Sequence, residues 1–267
     1  MKNSEVVSSL KLPTKPVLEG ASMQDIIFFL YGPPGIGKST FVSQAPDTLF
    51  LSTDPGLRFI KSMHLPVSSW LGFKKIVSKL VVERPKAYKG ICIDTIDLLL
   101  MMCQKYVCEK RNIEHQSDEP FGKAYEITRS HFMTELLKLK GLDYTLFFIS
   151  HSRTEEERGR AVRTSKVKPT LPSQGYKVLS PMCDIIAYYG FDEEAADDKE
   201  APRRMFFQLT ETMEAKDRSG LLPNSLTIPK RGGFELVESY ILGKSFREDD
   251  EGEPPVRHKK KIIIRKK

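Results

Sequence analysis

The chain has 267 residues, 40% of them hydrophobic and 29% charged, enough for one substantial core or one core with appendages. Its formal net charge of +7 and pI of about 9.1 fit contact with polyphosphate, nucleic acid or an acidic surface, and equally fit plain surface charge. Its longest apolar run, Ile26 to Tyr31, is far too short to span a membrane, and the opening "MKNSEVVSSLKLPTKP" lacks the apolar core of a secretion signal.

Residues 1–22 are polar with two prolines and read as a loose N-terminal arm. "DIIFFLY" (25–31) reads as a buried strand leading into "GPPGIGKST", and "KSTFVSQA" (38–45) as a short helix stopped before Pro46. "TLFLST" (48–53) is a second strand, ending at Asp54-Pro55-Gly56. Helical spacing of Ile76, Leu80 and Val81 marks 71–83, "GICID" (90–94) is a third strand, and a long helix runs from about Ile96 to Arg111. "HQSDEPFGK" (115–123) is a loop, 124–140 an amphipathic helix, and "YTLFFIS" (144–150) a fourth strand. Residues 151–175 carry many charges without an apolar period and read as a long loop. "CDIIAYYGF" (183–191) and "RRMFFQLTET" (203–212) read as strands around an acidic turn (192–200). Strands alternating with helices predict an α/β fold with a mostly parallel sheet covered on both faces. The expected organisation is the arm, a single α/β core over 23–245, and a disordered, acidic-then-basic tail over 246–267.

Cys92, Cys103, Cys108 and Cys183 form no C-x-x-C pair. In a long chain without a signal sequence they predict reduced thiols and a soluble, cytoplasmic protein.

Chemistry concentrates in the glycine loop. Gly32, Gly37, Lys38 and Ser39 fit Gly-x-x-x-x-Gly-Lys-Ser/Thr, with Pro33, Pro34, Gly35 and Ile36 between and Thr40 after. Such a loop turns backbone N–H groups onto phosphates, backed by the dipole of the helix that follows. Lys38, expected exposed at the loop mouth, would reach the β- and γ-phosphates of ATP, and Ser39 would ligate Mg²⁺. Asp94, at the end of an apolar strand, is the expected carboxylate of the metal shell; the alternative is a helix cap, which Asp97 could also supply. Asp54 is the candidate for orienting the attacking water, or else an Asp-Pro-Gly turn residue. Ser150 and His151 arrive at the same sheet edge, where a polar side chain could report the γ-phosphate.

The ordered set "TLFLSTDPGL", "GICIDTIDLLL" and "TLFFISHSR" after the glycine loop resembles the RecA-type recombinase core. It is most similar to the small phage ATP-binding proteins of that superfamily, the single-strand annealing group sometimes called Sak-four. "EPFGKAYE" and "AKDRSGLLP" add to the likeness, which covers roughly 24–235. The resemblance implies that Asp54 takes the place of the water-activating acid, usually Glu, and that Ser150 and His151 take that of an amide-bearing sensor. It implies DNA-binding loops at 115–123 and 152–175, and cations Lys216 and Arg218 offered to a neighbour's γ-phosphate. Single-stranded DNA is the implied partner, on a ring or filament of identical chains, in the cytoplasm of an infected bacterium.

Segment 152–170 holds Arg153, Arg158, Arg160, Arg163, Lys166 and Lys168 against Glu155, Glu156 and Glu157, and flexible cations suit phosphate backbones. A solvated loop is the plainer reading. The tail "VRHKKKIIIRKK" is a candidate nucleic-acid arm, or a docking peptide through Ile262, Ile263 and Ile264. Two other classes compete. An AAA+-type loader or remodeller usually has Glu directly after the metal Asp, where this chain has Thr95. A small-molecule kinase would need an acceptor pocket and an Arg-rich lid.

Overall fold

The computed structural model describes residues 22–158, 163–191 and 202–243. The acidic turn 192–200, nearly all of the N-terminal arm and the basic tail lie outside them, and Arg160 with them.

Ten strands form one sheet among the described residues. In chain order they are β1 (Ile27–Gly32), β2 (Thr48–Ser52), β3 (Met63–Pro66), β4 (Gly90–Asp94), β5 (Thr145–Arg158), β6 (Arg163–Pro169), β7 (Ile185–Phe191), β8 (Arg203–Phe206), β9 (Lys216–Asp217) and β10 (Ser225–Thr227). The sheet runs β10-β8-β7-β1-β5-β4-β2-β3, with β6 paired to β5 and β9 to β7. β7, β1, β5, β4, β2 and β3 are parallel. β6, β8, β9 and β10 join antiparallel. Among the described residues six α-helices flank it: α1 (Lys38–Val42), α2 (Trp70–Glu83), α3 (Ile96–Arg111), α4 (Lys123–Lys140), α5 (Ser173–Met182) and α6 (Gly233–Ile241).

The apolar strands are buried on both faces, as their composition predicts. Successive side chains of β1 serve two cores. Phe29 and Tyr31 pack with Leu51, Ile93 and Phe148 under α2, α3 and α4, around Trp70 and Phe132. Phe28 and Leu30 pack with Phe50, Phe147 and Ile149 under α1 and α6, around Phe41 and Phe234. A side chain such as Phe29, with no exposed area, contributes roughly 1.5–3 kcal/mol by burial. These two cores hold β1, β4 and β5 rigidly side by side, so their C-terminal ends make one platform. No helix among the described residues is long and apolar enough to cross a membrane.

Two expectations need correction. Residues 151–175 are not a loop: β5 continues past Ser150 to Arg158 and returns as β6, an antiparallel ribbon followed by α5. A two-stranded ribbon is held by its hydrogen-bond ladder and need bury neither face, so it leaves no apolar alternation to read. The strand read over 203–212 stops at Phe206. The edge strand β3 went unread because all four of its residues are exposed, and β9 and β10 because they are short; α6 went unread although Phe234, Val237 and Ile241 lie at helical spacing.

Candidate functional site

β1 delivers the glycine loop to the platform, and the wall behind it is β7. A Cβ on Gly32 would lie 2.0 Å from the Tyr189 carbonyl oxygen, so only glycine fits there. Gly35 and Gly37 have φ of +78° and +107°, the left-handed region open to glycine at little cost. Ile36 is buried and pins the loop to the core, while Pro34, Gly35 and Thr40 are exposed. α1 has only five residues, so oriented loop N–H groups, more than a helix dipole, make the phosphate cradle.

Lys38 is buried, not exposed at the loop mouth. Its Nζ donates to the carbonyls of Gly32 at 2.8 Å and Pro33 at 3.0 Å and lies 3.5 Å from His151 Nδ1. Burial pulls its pKa down to about 8, against the charges of Asp94, Asp97 and Asp54. Ser39 Oγ donates to Asp94 Oδ2 at 2.6 Å. Burial pushes Asp94 up to about 6; the Ser39 hydrogen bond and Lys38 pull the other way, and the Asp54 and Asp97 charges add to the rise. A hydroxyl and a carboxylate in contact are hard oxygen donors of the kind Mg²⁺ takes together with substrate phosphates. The chemistry of these two groups therefore fits Mg²⁺, and the glycine cradle fits a triphosphate. Ser39 and Asp94 would hold the metal, which would supply charge neutralisation at the β- and γ-oxygens.

Asp54 stands at the same edge. Thr53 N donates to the Asp94 carbonyl at 2.8 Å, and the Thr53 hydroxyl bridges the backbone of Thr95. The Asp54 charge is felt by Lys38, Asp94 and His151. Its Oδ1 also accepts from Gly56 N at 2.8 Å, the turn contact of an Asp-Pro-Gly sequence. The turn contact read for this residue is present, and its charge lies near enough to act on the Lys38–Asp94–His151 cluster.

β5 lies between β1 and β4, with His151 in register with Gly32 and Ile149 with Asp94. His151 therefore sits beside the loop, its pKa lowered by burial and by the Lys38 charge. Ser150 is buried and turns from the loop toward Asp97, donating to Oδ1 at 2.9 Å. Thr170, just past β6, donates to the same oxygen at 2.9 Å, and its N–H donates to the His151 carbonyl. Asp97 Oδ2 and Thr95 Oγ1 are buried without a hydrogen-bond partner.

Lys216 and Arg218 do not reach this cluster in their own chain. They lie where β7 begins, at the far edge of the sheet. Lys216 Nζ donates to the carbonyls of Ser180 and Cys183, and Arg218 pairs with Asp184 and donates to the Pro181 carbonyl. Two groups at the site escaped sequence reasoning. Asp97 had a signal, lying three residues after Asp94 in the first turn of the following helix, but was weighed only as a possible cap. Arg203 had none: its guanidinium reaches Gly37 only through the pairing of β8 with β7.

Residues 24–219 match the family described as an AAA domain. The chain belongs to this family. As a member of this AAA domain family it is a P-loop ATPase, with Thr95 in the position where Glu is usual for AAA+ enzymes. It is similar to the SPbeta prophage-derived uncharacterized protein YorG of Bacillus subtilis (strain 168), 27% identical over 237 residues, or 85% of this chain and 69% of that protein. The crystal structure of the RadB recombinase matches with a TM-score of 0.42 and 14% identity, covering 78% of this chain and 89% of that chain.

Proposed function

We propose that this AAA-domain protein hydrolyses ATP to control binding of single-stranded DNA, in phage-type recombination or strand annealing. One observation carries the reading: the strand that ends beside the phosphate loop continues without a break into the charged β5–β6 ribbon. Lys38 would exchange the Gly32 and Pro33 carbonyls for phosphate oxygens. His151, 3.5 Å away, would feel that shift at the root of the ribbon. Asp54 would orient the attacking water.

Ribbon cations are now held by acids: Arg153 and Lys168 by Glu155, and Lys166 by Glu214. The exposed Arg153–Glu155 pair is worth about 0–1 kcal/mol, so a phosphate can displace that carboxylate at little cost. The match to a prophage-derived protein supports a phage setting. Lys216 and Arg218, remote from the site of their own chain, are offered to the nucleotide of a neighbouring copy, so the working form is an oligomer.

The test is the ATPase rate with and without single-stranded DNA, with electron microscopy of the same mixture. Stimulated turnover on DNA-bound rings or filaments is expected. Turnover indifferent to DNA, or transfer of phosphate to a nucleoside, would overturn the reading in favour of a loader or a kinase.

A further inference from the structure

Arg203 stands over the phosphate loop. Its Nη1 lies 2.7 Å from the point a Cβ on Gly37 would occupy, so the guanidinium rests against the loop itself. That approach is built into the sheet. Arg203 is in register with Phe191 at the end of β7, and the Ile228 N–H donates to its carbonyl at 2.8 Å. The alternation of β8 puts Arg203 on the same face as the buried Met205, the face that carries α1.

Tyr189 ties the arrangement together. Its carbonyl abuts Gly32, its ring packs on Phe41 of α1 at 6.2 Å, and its side chain is hydrogen-bonded to Arg203. A tyrosine oxygen can occupy only part of a guanidinium's five N–H donors.

We infer that Arg203 is a second phosphate-binding cation of the nucleotide site, supplied by the same chain. The inference rests on the ATP reading above and adds a residue to it. Gly37 belongs to the part of the loop that cradles the α- and β-phosphates, whereas Lys38 reaches toward the γ-phosphate. Arg203 therefore grips phosphates common to ATP and ADP. A group that binds the ground state and the transition state alike changes KM and leaves kcat.

The experiment measures Kd for ATP and ADP, kcat and thermal stability in the wild type, Arg203→Gln and Arg203→Lys. In Arg203→Gln, Kd should rise about tenfold or more for both nucleotides, the usual weight of one charge-assisted hydrogen bond. kcat at saturation should stay within about threefold, since uniform binding does not alter it. Arg203→Lys should recover part of the affinity, because it keeps the charge and loses the fork. Unchanged Kd values in Arg203→Gln would overturn the inference, and so would a loss of kcat at unchanged Kd. If Arg203→Gln does not fold, Arg203→Lys decides: affinity for both nucleotides must fall severalfold, and wild-type affinity overturns the inference. A wild type that binds neither nucleotide would instead sink the ATP reading, which separates the two failures.

Discussion

The Ser150 hydroxyl donates to Asp97 Oδ1 at 2.9 Å, and that contact joins the strand beside the phosphate loop to the helix that follows Asp94. Thr170 shares the same oxygen, so one carboxylate holds both roots of the β5–β6 ribbon. Asp97 is thereby placed to pass a movement at the nucleotide to the ribbon.

Asp97→Leu removes the acceptor and keeps the branched shape, with bulkier methyl groups in place of the oxygens. It should lower stability by about 1–3 kcal/mol, the cost of poorly paired buried hydroxyls. The loss stays modest because Ser150 and Thr170 each also reach the His151 carbonyl. It should also erase the difference in single-strand affinity between ATP and ADP, whereas Asp97→Asn, which keeps an acceptor oxygen, should preserve most of it. Denaturant titration and DNA binding with each nucleotide measure the two effects; an unchanged ATP-to-ADP ratio in the leucine variant reduces Asp97 to a structural tie.

Asp54→Asn retains an oxygen for the Gly56 N–H and so preserves the turn. It removes the base. ATP affinity should stay near wild type while turnover falls about 10²–10⁴-fold. A rate within about threefold of wild type, far inside that expected loss, would leave Asp54 as a turn residue only.

His151→Ala deletes the side chain 3.5 Å from Lys38 without touching the Ser150–Asp97 contact. It should uncouple DNA affinity from the nucleotide. Binding of single strands is measured with ATP and with ADP, and a wild-type ratio in the variant would remove His151 as the sensor.

Lys38→Ala should abolish hydrolysis with the fold intact by circular dichroism; wild-type turnover would sink the nucleotide assignment. The wild type should also show a pH signature. Free Lys38 loses its proton near pH 8, because burial disfavours the charge. Bound phosphates favour the charged form, so binding takes up a proton above that pH. Affinity for Mg²⁺-free ATP should then fall by up to tenfold per pH unit above about pH 8. An affinity that stays level through about pH 9.5 contradicts this.

The glycine loop, the apolar strands β1, β2 and β4, and helix α3 with its bounds at Ile96 and Arg111 were legible in the sequence. The loop and the strands leave local marks: glycines spaced for a phosphate turn, and uninterrupted apolar runs for strands buried on both faces. The placing of Asp94 and Asp54 at one sheet edge also followed, because a parallel sheet brings the C-terminal ends of its strands together. Only the tertiary structure decided that Lys38 is buried on its own loop, that Asp97 gathers Ser150 and Thr170, and that Arg203 covers Gly37. These contacts join residues from 6 to 166 positions apart, as Lys38 to Gly32 and Arg203 to Gly37 show. They are set by strand order and register, which hydrogen-bond ladders fix without demanding any particular side chain. The ribbon stayed hidden for the same reason, since its ladder of backbone hydrogen bonds asks for no apolar period.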